Sequence, residues 1–224
     1  MSENKPLHIP YKIDPKSTDE SINASKDFYE LMNKRRSVRF FSEKDVPEEI
    51  IENIIMTASS APSGAHKQPW TFCVIRSKDL KHQIREGAEH EERINYETRM
   101  SDKWKDDLEH LGTDDVKEFI DIAPWIIIVM RKPYDFDENG KKINNYYVNE
   151  SVGIASGFLI SAIHNAGLVT LTHTPSPMNF ISTLLGRPEN EKPYLLLPIG
   201  YPSKDCSVPN LKRKKLNEIA FYYR

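Results

Sequence analysis

Apolar positions in this chain change their period several times, and each change predicts an element. Phe28, Leu31 and Met32 fall on one face of a segment from about Ser25 to Lys34, the spacing of a helix. Ile50, Ile51, Ile54, Ile55 and Ala58 repeat that spacing more fully, with Asp45 placed to cap and Pro47 in the first turn. Small residues around Pro62 and Gly64 end this second helix. Thr71–Ile75 is short, apolar and partly β-branched, which predicts a strand. Trp125–Met130 is apolar at every position. A strand covered on one face alternates, so the unbroken run predicts a central strand covered on both. Val152, Ala155, Leu159 and Ile163 line one face of a helix over Val148–Ala166, and Gly167 stands where a helix takes a left-handed residue to stop. Leu168–Thr174 and Tyr194–Ile199 predict two more strands with a short helix, Phe180–Leu185, between them. Asn139-Gly140 marks a hairpin or loop tip.

Two stretches carry no clean period. Residues 1–24 hold Pro6, Pro10 and Pro15 among polar groups and predict an extended arm. Leu80–Trp104 mixes Glu, His, Arg and Lys with few apolar side chains, so a helix there would be poorly buried. The expectation is an α+β fold: an arm over 1–24, then one domain over 25–224 built on a mixed sheet flanked by helices.

A length of 224 residues suits one large domain or two small ones, long enough to bury a core without staples. Two cysteines, Cys73 and Cys206, make no disulfide framework and no metal-ligand spacing, which predicts a reducing, cytoplasmic setting. The 31 basic and 33 acidic side chains nearly cancel, so no global field recruits nucleic acid. No apolar run approaches the roughly 20 residues of a spanning helix, and the polar start is not a signal peptide. Neither a membrane nor a nucleic-acid partner is expected. No Gly-x-Gly-x-x-Gly follows a strand, no phosphate loop of the usual kind occurs, and the histidines lack metal spacing. An enzyme of this composition points to a bound organic cofactor and no metal.

Four constellations remain. Arg35-Arg36-Ser37-Val38-Arg39 sets three guanidiniums and a hydroxyl within five residues, able to fork around a phosphate; taken alone it is equally a solvated basic turn. Ala61–Trp70, rich in small residues between a helix and a strand, lets a flat ligand approach backbone N–H groups, or is an ordinary Pro/Gly loop. Thr172-His173-Thr174 ends a strand in hydroxyls. Gly200-Tyr201-Pro202 is followed by Leu211-Lys212-Arg213-Lys214.

In this order the four resemble the nitroreductase superfamily of FMN-dependent oxidoreductases. Ser63–Trp70, Ile94-Asn95-Tyr96, Asn165–Thr170, Leu185–Pro188 and Leu196–Lys204 are similar, more narrowly, to its halotyrosine-dehalogenating branch. The resemblance runs from about Lys34 to Ile219. It implies a domain-swapped homodimer with non-covalent FMN at the interface. Arg35, Arg36, Ser37, Val38 and Arg39 would hold the flavin, Arg213 its phosphate end, and Ser63 the opposite wall. Thr172, His173 and Thr174 would lie beside the ring, with the Thr174 hydroxyl donating to flavin N5 as the catalytic contact; His173 stands where the family usually has Thr.

The same resemblance implies a substrate lid at about 88–118. Glu92 and Lys117 would clamp an ammonium and a carboxylate, Tyr96 would help hold the zwitterion, and the Ala65 N–H would meet a phenolate. The implied reaction takes 3-iodotyrosine and 3,5-diiodotyrosine to tyrosine and iodide by one-electron flavin chemistry, with NAD(P)H as a transient reductant. Animal members carry a membrane anchor ahead of this region; here a short polar arm predicts none. One rival is a broad-specificity nitroreductase or quinone reductase with the same flavin site. It would lack a zwitterion clamp, and here Glu92, Tyr96 and Lys117 are all present. A second rival is a nucleic-acid or partner-binding module using Arg35–Arg39 and Lys212–Lys215, against which the charge balance weighs.

Overall fold

The structure is a computed structural model that describes residues 8–224, in two compact units dividing between Arg35 and Arg36. Residues 1–7, the start of the expected arm, lie outside the described residues. The first unit holds one helix, α1 (Thr18–Asn33). It begins well before Ser25 because Ser17 and Glu20 form a capping box: the Ser17 N–H donates to the Glu20 carboxylate at 2.8 Å, and the Glu20 N–H donates to Ser17 Oγ at 3.3 Å. The arm expected through residue 24 is therefore helical from Thr18, and the division falls after Arg35. No side chain of α1 is buried; Ile22, Phe28 and Tyr29 are all exposed.

The second unit runs, in chain order, α2 (Glu48–Ser59), β1 (Trp70–Ile75), α3 (Lys78–Ile94), α4 (Asp102–Glu109), α5 (Phe119–Ile122), β2 (Trp125–Arg131), β3 (Tyr134–Phe136), β4 (Lys142–Asn144), α6 (Val148–Asn165), β5 (Val169–Thr170), α7 (Asn179–Leu184), β6 (Lys192–Gly200) and α8 (Leu216–Ile219). Four strands form one sheet in the order β1-β2-β6-β5, and β3 pairs with β4 as a separate hairpin. Every ladder of the main sheet is antiparallel. The expected fold of a helix-flanked sheet holds, with its named strands paired antiparallel. An apolar run on both faces reports that both faces are covered, and says nothing of strand direction. The described parallel pairing is a single bridge, Ser37 to Thr170, at the β5 edge.

The covering explains the run in β2. Trp125, Ile127 and Val129 pack with Ile51, Ile54 and Ala58 of α2 and with Val152, Ala155, Leu159 and Ile163 of α6. Ile126, Ile128 and Met130 point to the other face, against Ile84 and Ala88 of α3, Phe119 and Ile120 of α5, and Ile181 of α7. Close layer contact shows at Gly200, where an added Cβ would lie 2.6 Å from the Pro124 ring.

Three local expectations change. Asp45 does not cap α2, whose N-cap is Pro47; Asp45 instead takes both of its oxygens to Arg76 at 3.0 Å. The strand expected over Leu168–Thr174 is reduced to β5 plus a bridge from His173 to Leu196. The segment expected as one poorly buried helix, Leu80–Trp104, divides into most of α3, which buries Lys81, Ile84, Ala88 and Glu92, a π-helical turn over Asn95–Arg99 and the start of α4. The interior face of α3 is part charged, and hydrophobic spacing therefore under-reports it.

Candidate active site

The main chain holds the basic segment. The Val38 N–H donates to the Thr170 carbonyl at 3.1 Å, the Ser42 N–H to the Tyr201 carbonyl at 2.8 Å, and the Ser203 N–H to the Phe40 carbonyl at 3.0 Å. Residues Arg36–Ser42 are thereby threaded between the end of β5 and the Gly200–Ser203 turn. Ser37 and Val38 lie two residues from the Thr172–Thr174 strand end, through Thr170. The Arg36 guanidinium donates to the Pro209 carbonyl, tying the segment to the stretch that leads to Arg213. Arg35 ends the first unit.

The strand end splits by face. Thr172 and Thr174 are exposed, and His173 between them is buried, as a two-residue period requires. The His173 ring meets Phe119 edge-on, 5.7 Å between centroids. Its Nε2 has no hydrogen-bond partner among the described residues. Burial, with Lys117 and Arg39 nearby, pushes its pKa down to about 3. His173 therefore gives backbone to the strand end while its neutral side chain faces the interior.

Two clefts meet at Arg39 and Phe40. One, of about 360 Å³, is lined also by Ser37, Gly112, Val208 and Pro209. The other, of about 270 Å³, is lined also by Thr113, Asp114, Lys117 and Phe119. A larger cleft of about 870 Å³ lies around Asp45, Arg76, Lys81, His82 and Asp121. It shares only Ile122 with the second cleft; in it Arg76 pairs with Asp45, His82 with Asp121, and Lys81 donates to backbone carbonyls.

Lys117 borders the second cleft and faces a carboxylate. Among the described residues four charged side chains are buried: Lys81, Glu92, Lys117 and Glu191. Such groups are rarely buried unless partnered. Lys81 donates to the Asp121 and Ala123 carbonyls, and Glu191 takes Arg187 and Thr71. Glu92 and Lys117 differ. Lys117 Nζ stands 3.9 Å from Glu92 Oε2, outside hydrogen-bond reach, and neither Glu92 oxygen accepts a hydrogen bond from a described residue. Burial raises the Glu92 pKa against the pull of Lys117, and burial lowers Lys117 against the pull of Glu92. Each charge is buried and incompletely answered by the other.

Tyr96 sits in a π-helical turn, Asn95–Arg99, at the end of α3, a distortion common at functional sites. Its hydroxyl donates to the Thr113 carbonyl at 3.0 Å, and burial with the neighbouring Glu92 raises its pKa, keeping the proton on. Lys117 Nζ also donates to the Asp114 carbonyl.

The loop after α2 is strained. Ala65, His66 and Gln68 all have positive φ, near +50°, a region costly for residues with a side chain. Gly64 fits only as glycine, since a Cβ would lie 2.9 Å from the Tyr146 carbonyl oxygen. Ser63 Oγ accepts the Gln68 N–H at 2.9 Å. The exposed Ala65 N–H makes no hydrogen bond to a described residue. Ser63 and Ala65 form no hydrogen bond with Arg39, Glu92, Tyr96, Lys117 or His173.

The nitroreductase family model matches residues 32–201. The chain belongs to the nitroreductase family. Among relatives, it is 52% identical over 221 residues to an iodotyrosine deiodinase of Haliscomenobacter hydrossis, spanning 99% of this chain and 100% of that one. It is 50% identical over 219 residues to iodotyrosine deiodinase 1 of Homo sapiens, spanning 97% and 76%. A crystal structure of oxidized iodotyrosine deiodinase bound to FMN and 3-iodo-L-tyrosine matches with a TM-score of 0.75 at 29% identity, over 88% of this chain and 98% of that one.

Within this nitroreductase-family fold, one chain brings Arg39, Glu92, Tyr96, Lys117 and the His173 strand end together, and among the described residues no hydrogen bond joins Ser63 or Ala65 to them. Thr113, Asp114 and Phe119 also line the second cleft; the first two fall within the expected lid, but no motif singles any of the three out. Two are ordinary loop residues, and Phe119 reads as core.

Proposed function

We propose that the protein is an FMN-dependent reductive dehalogenase of halotyrosines, taking 3-iodotyrosine and 3,5-diiodotyrosine to tyrosine and iodide. The observation that carries this reading is the buried pair of Glu92 and Lys117 beside Arg39, 3.9 Å apart and not hydrogen-bonded to each other. Two opposite charges held apart fit the two ends of an amino-acid zwitterion. A nitroaromatic or a quinone has no group to answer them.

The residues present also fit FMN. A phosphate needs cationic forks, which Arg36 and Arg39 offer, with Arg35 and Arg213 in the same role. A ring nitrogen that takes up a proton on reduction needs a donor, and the exposed hydroxyl of Thr174 is our choice, with Ser37, Val38, Thr172 and the His173 backbone lining the ring. When bound and reduced, FMN would supply two electrons which, with one proton, replace the carbon–iodine bond by carbon–hydrogen and release iodide.

The chain's own groups do the rest. Lys117 takes the substrate carboxylate and Glu92 its ammonium, while Tyr96, held by its donation to the Thr113 carbonyl, helps to hold the zwitterion. The free Ala65 N–H suits a phenolate oxygen. Tyrosine ionises near pH 10, and an ortho iodine lowers that value, so the halogenated ring reaches the anionic form more easily. Residues 88–118 act as the lid. Closing it excludes water and strengthens each charge pair.

No hydrogen bond among the described residues ties Ser63 or Ala65 to the cluster of their own chain, and we assign them to the site of a second copy, in a homodimer. NAD(P)H visits as a transient reductant, since the sequence has no separate dinucleotide motif. Cys73 and Cys206 are free thiols, which suits the cytoplasm. No helix among the described residues is long and apolar enough to cross a membrane. The test is to reduce the purified flavoprotein chemically without oxygen, add 3-iodotyrosine, and measure iodide and tyrosine. Both should appear in equal amounts. Reduction of nitroaromatics with no iodide release would favour the broad-specificity reductase.

A further inference from the structure

Both jaws of the Glu92–Lys117 pair are referenced to one helix. Glu92 belongs to α3 itself. Lys117 lies on the segment ahead of α5, and its backbone N–H donates to Glu89 Oε1 at 2.8 Å. Glu89 is three residues before Glu92 on α3, close to one helical turn. The same Glu89 oxygen accepts from Arg85 Nε at 2.7 Å, and Arg85 Nη1 reaches Asp121 Oδ2 on α5 at 3.0 Å. Arg85 thus bridges one carboxylate on α3 and one on α5, on either side of Lys117. These side chains are mostly enclosed, with 23% of Arg85, 16% of Glu89 and 29% of Asp121 exposed. A fork held at both tips has little freedom.

We infer that Glu89, braced by Arg85, is the positioning residue that sets Lys117 opposite Glu92. This rests on the reading of that pair as the clamp for a zwitterion. Glu89 touches no substrate. It fixes where the Lys117 main chain lies, and so how far the ammonium stands from the Glu92 carboxylate. A looser main chain lets Lys117 close onto Glu92, and the gap that a ligand's two charges would fill is lost.

The experiment compares 3-iodotyrosine with 2-iodophenol, which lacks the zwitterion, by titration of FMN fluorescence in the holoenzyme. Glu89→Leu removes the acceptor. It should weaken 3-iodotyrosine about tenfold or more, the size of one hydrogen bond to a charged group, while 2-iodophenol affinity and flavin occupancy hold. Glu89→Gln keeps an oxygen for the Lys117 N–H and should restore most of the affinity. Should Glu89→Leu fail to fold, Arg85→Met removes the brace and should show the same selective loss in smaller degree. Equal losses for both ligands, or no loss in either variant, would overturn the inference. A parent protein that binds both ligands alike would instead overturn the clamp, and this is seen before any substitution is made.

Discussion

His173 shows at single-residue scale what a buried site asks of an ionisable group. Its pKa falls to about 3 in the fold, mainly because burial disfavours the cation, against about 6.5 in an unfolded chain. Between those values the unfolded chain binds the extra proton, so acid favours unfolding. Stability should be flat above about pH 6.5 and should fall below it, approaching about 1.4 kcal/mol per pH unit from this group. His173→Gln should flatten that part of the curve, measured as the urea midpoint at pH 5 against pH 7. An unchanged slope in the variant would show that other groups govern it. The residue identities at this site were largely legible in the sequence as motifs, but orientation was not drawn from them. The two-residue period turns the His173 side chain inward between the exposed Thr172 and Thr174, an orientation the motif alone does not state. Glu89, Thr113 and Asp114 fall inside the expected lid at about 88–118, but no motif singles them out, because their contacts arise only when separate segments meet.

Elements were legible where a face is uniformly apolar. β2, α2 and α6 match their expected spans closely, since each buries a continuous row against the sheet. α1 started early because a capping box, a polar signal, sets its first turn. α3 was misjudged because Lys81 and Glu92 occupy interior positions. Sheet direction was not legible at all from burial. Ile128, in the middle of β2, is fully buried between Leu196, α3 and α5. Ile128→Ala should destabilise by about 2–5 kcal/mol through lost burial and the cavity left, read as a lower melting temperature. Val74→Ala on the exposed face of β1 should change stability far less. Equal effects would mean that the two-sided core is not what holds β2.

For the whole molecule, the account needs a second copy. Exposed Ile22, Phe28 and Tyr29 on α1, and Phe221, Tyr222 and Tyr223 at the C-terminus, offer apolar surface of the kind an interface covers. Light scattering should therefore give a dimer, with flavin absorbance in every subunit. A monomer that keeps its flavin would contradict the assignment of Ser63 and Ala65 to a neighbouring site.

The central claim is that a buried pair of opposite charges selects an amino acid. Its most direct test is the affinity of the parent, Glu92→Gln and Lys117→Ala for 3-iodotyrosine and 2-iodophenol, followed by flavin fluorescence. Removing one partner from a desolvated pair costs about 2–5 kcal/mol, largely because the other charge is stranded. Each substitution should weaken 3-iodotyrosine by that amount and leave 2-iodophenol nearly unchanged. Variants that bind 3-iodotyrosine as tightly as the parent would contradict the account.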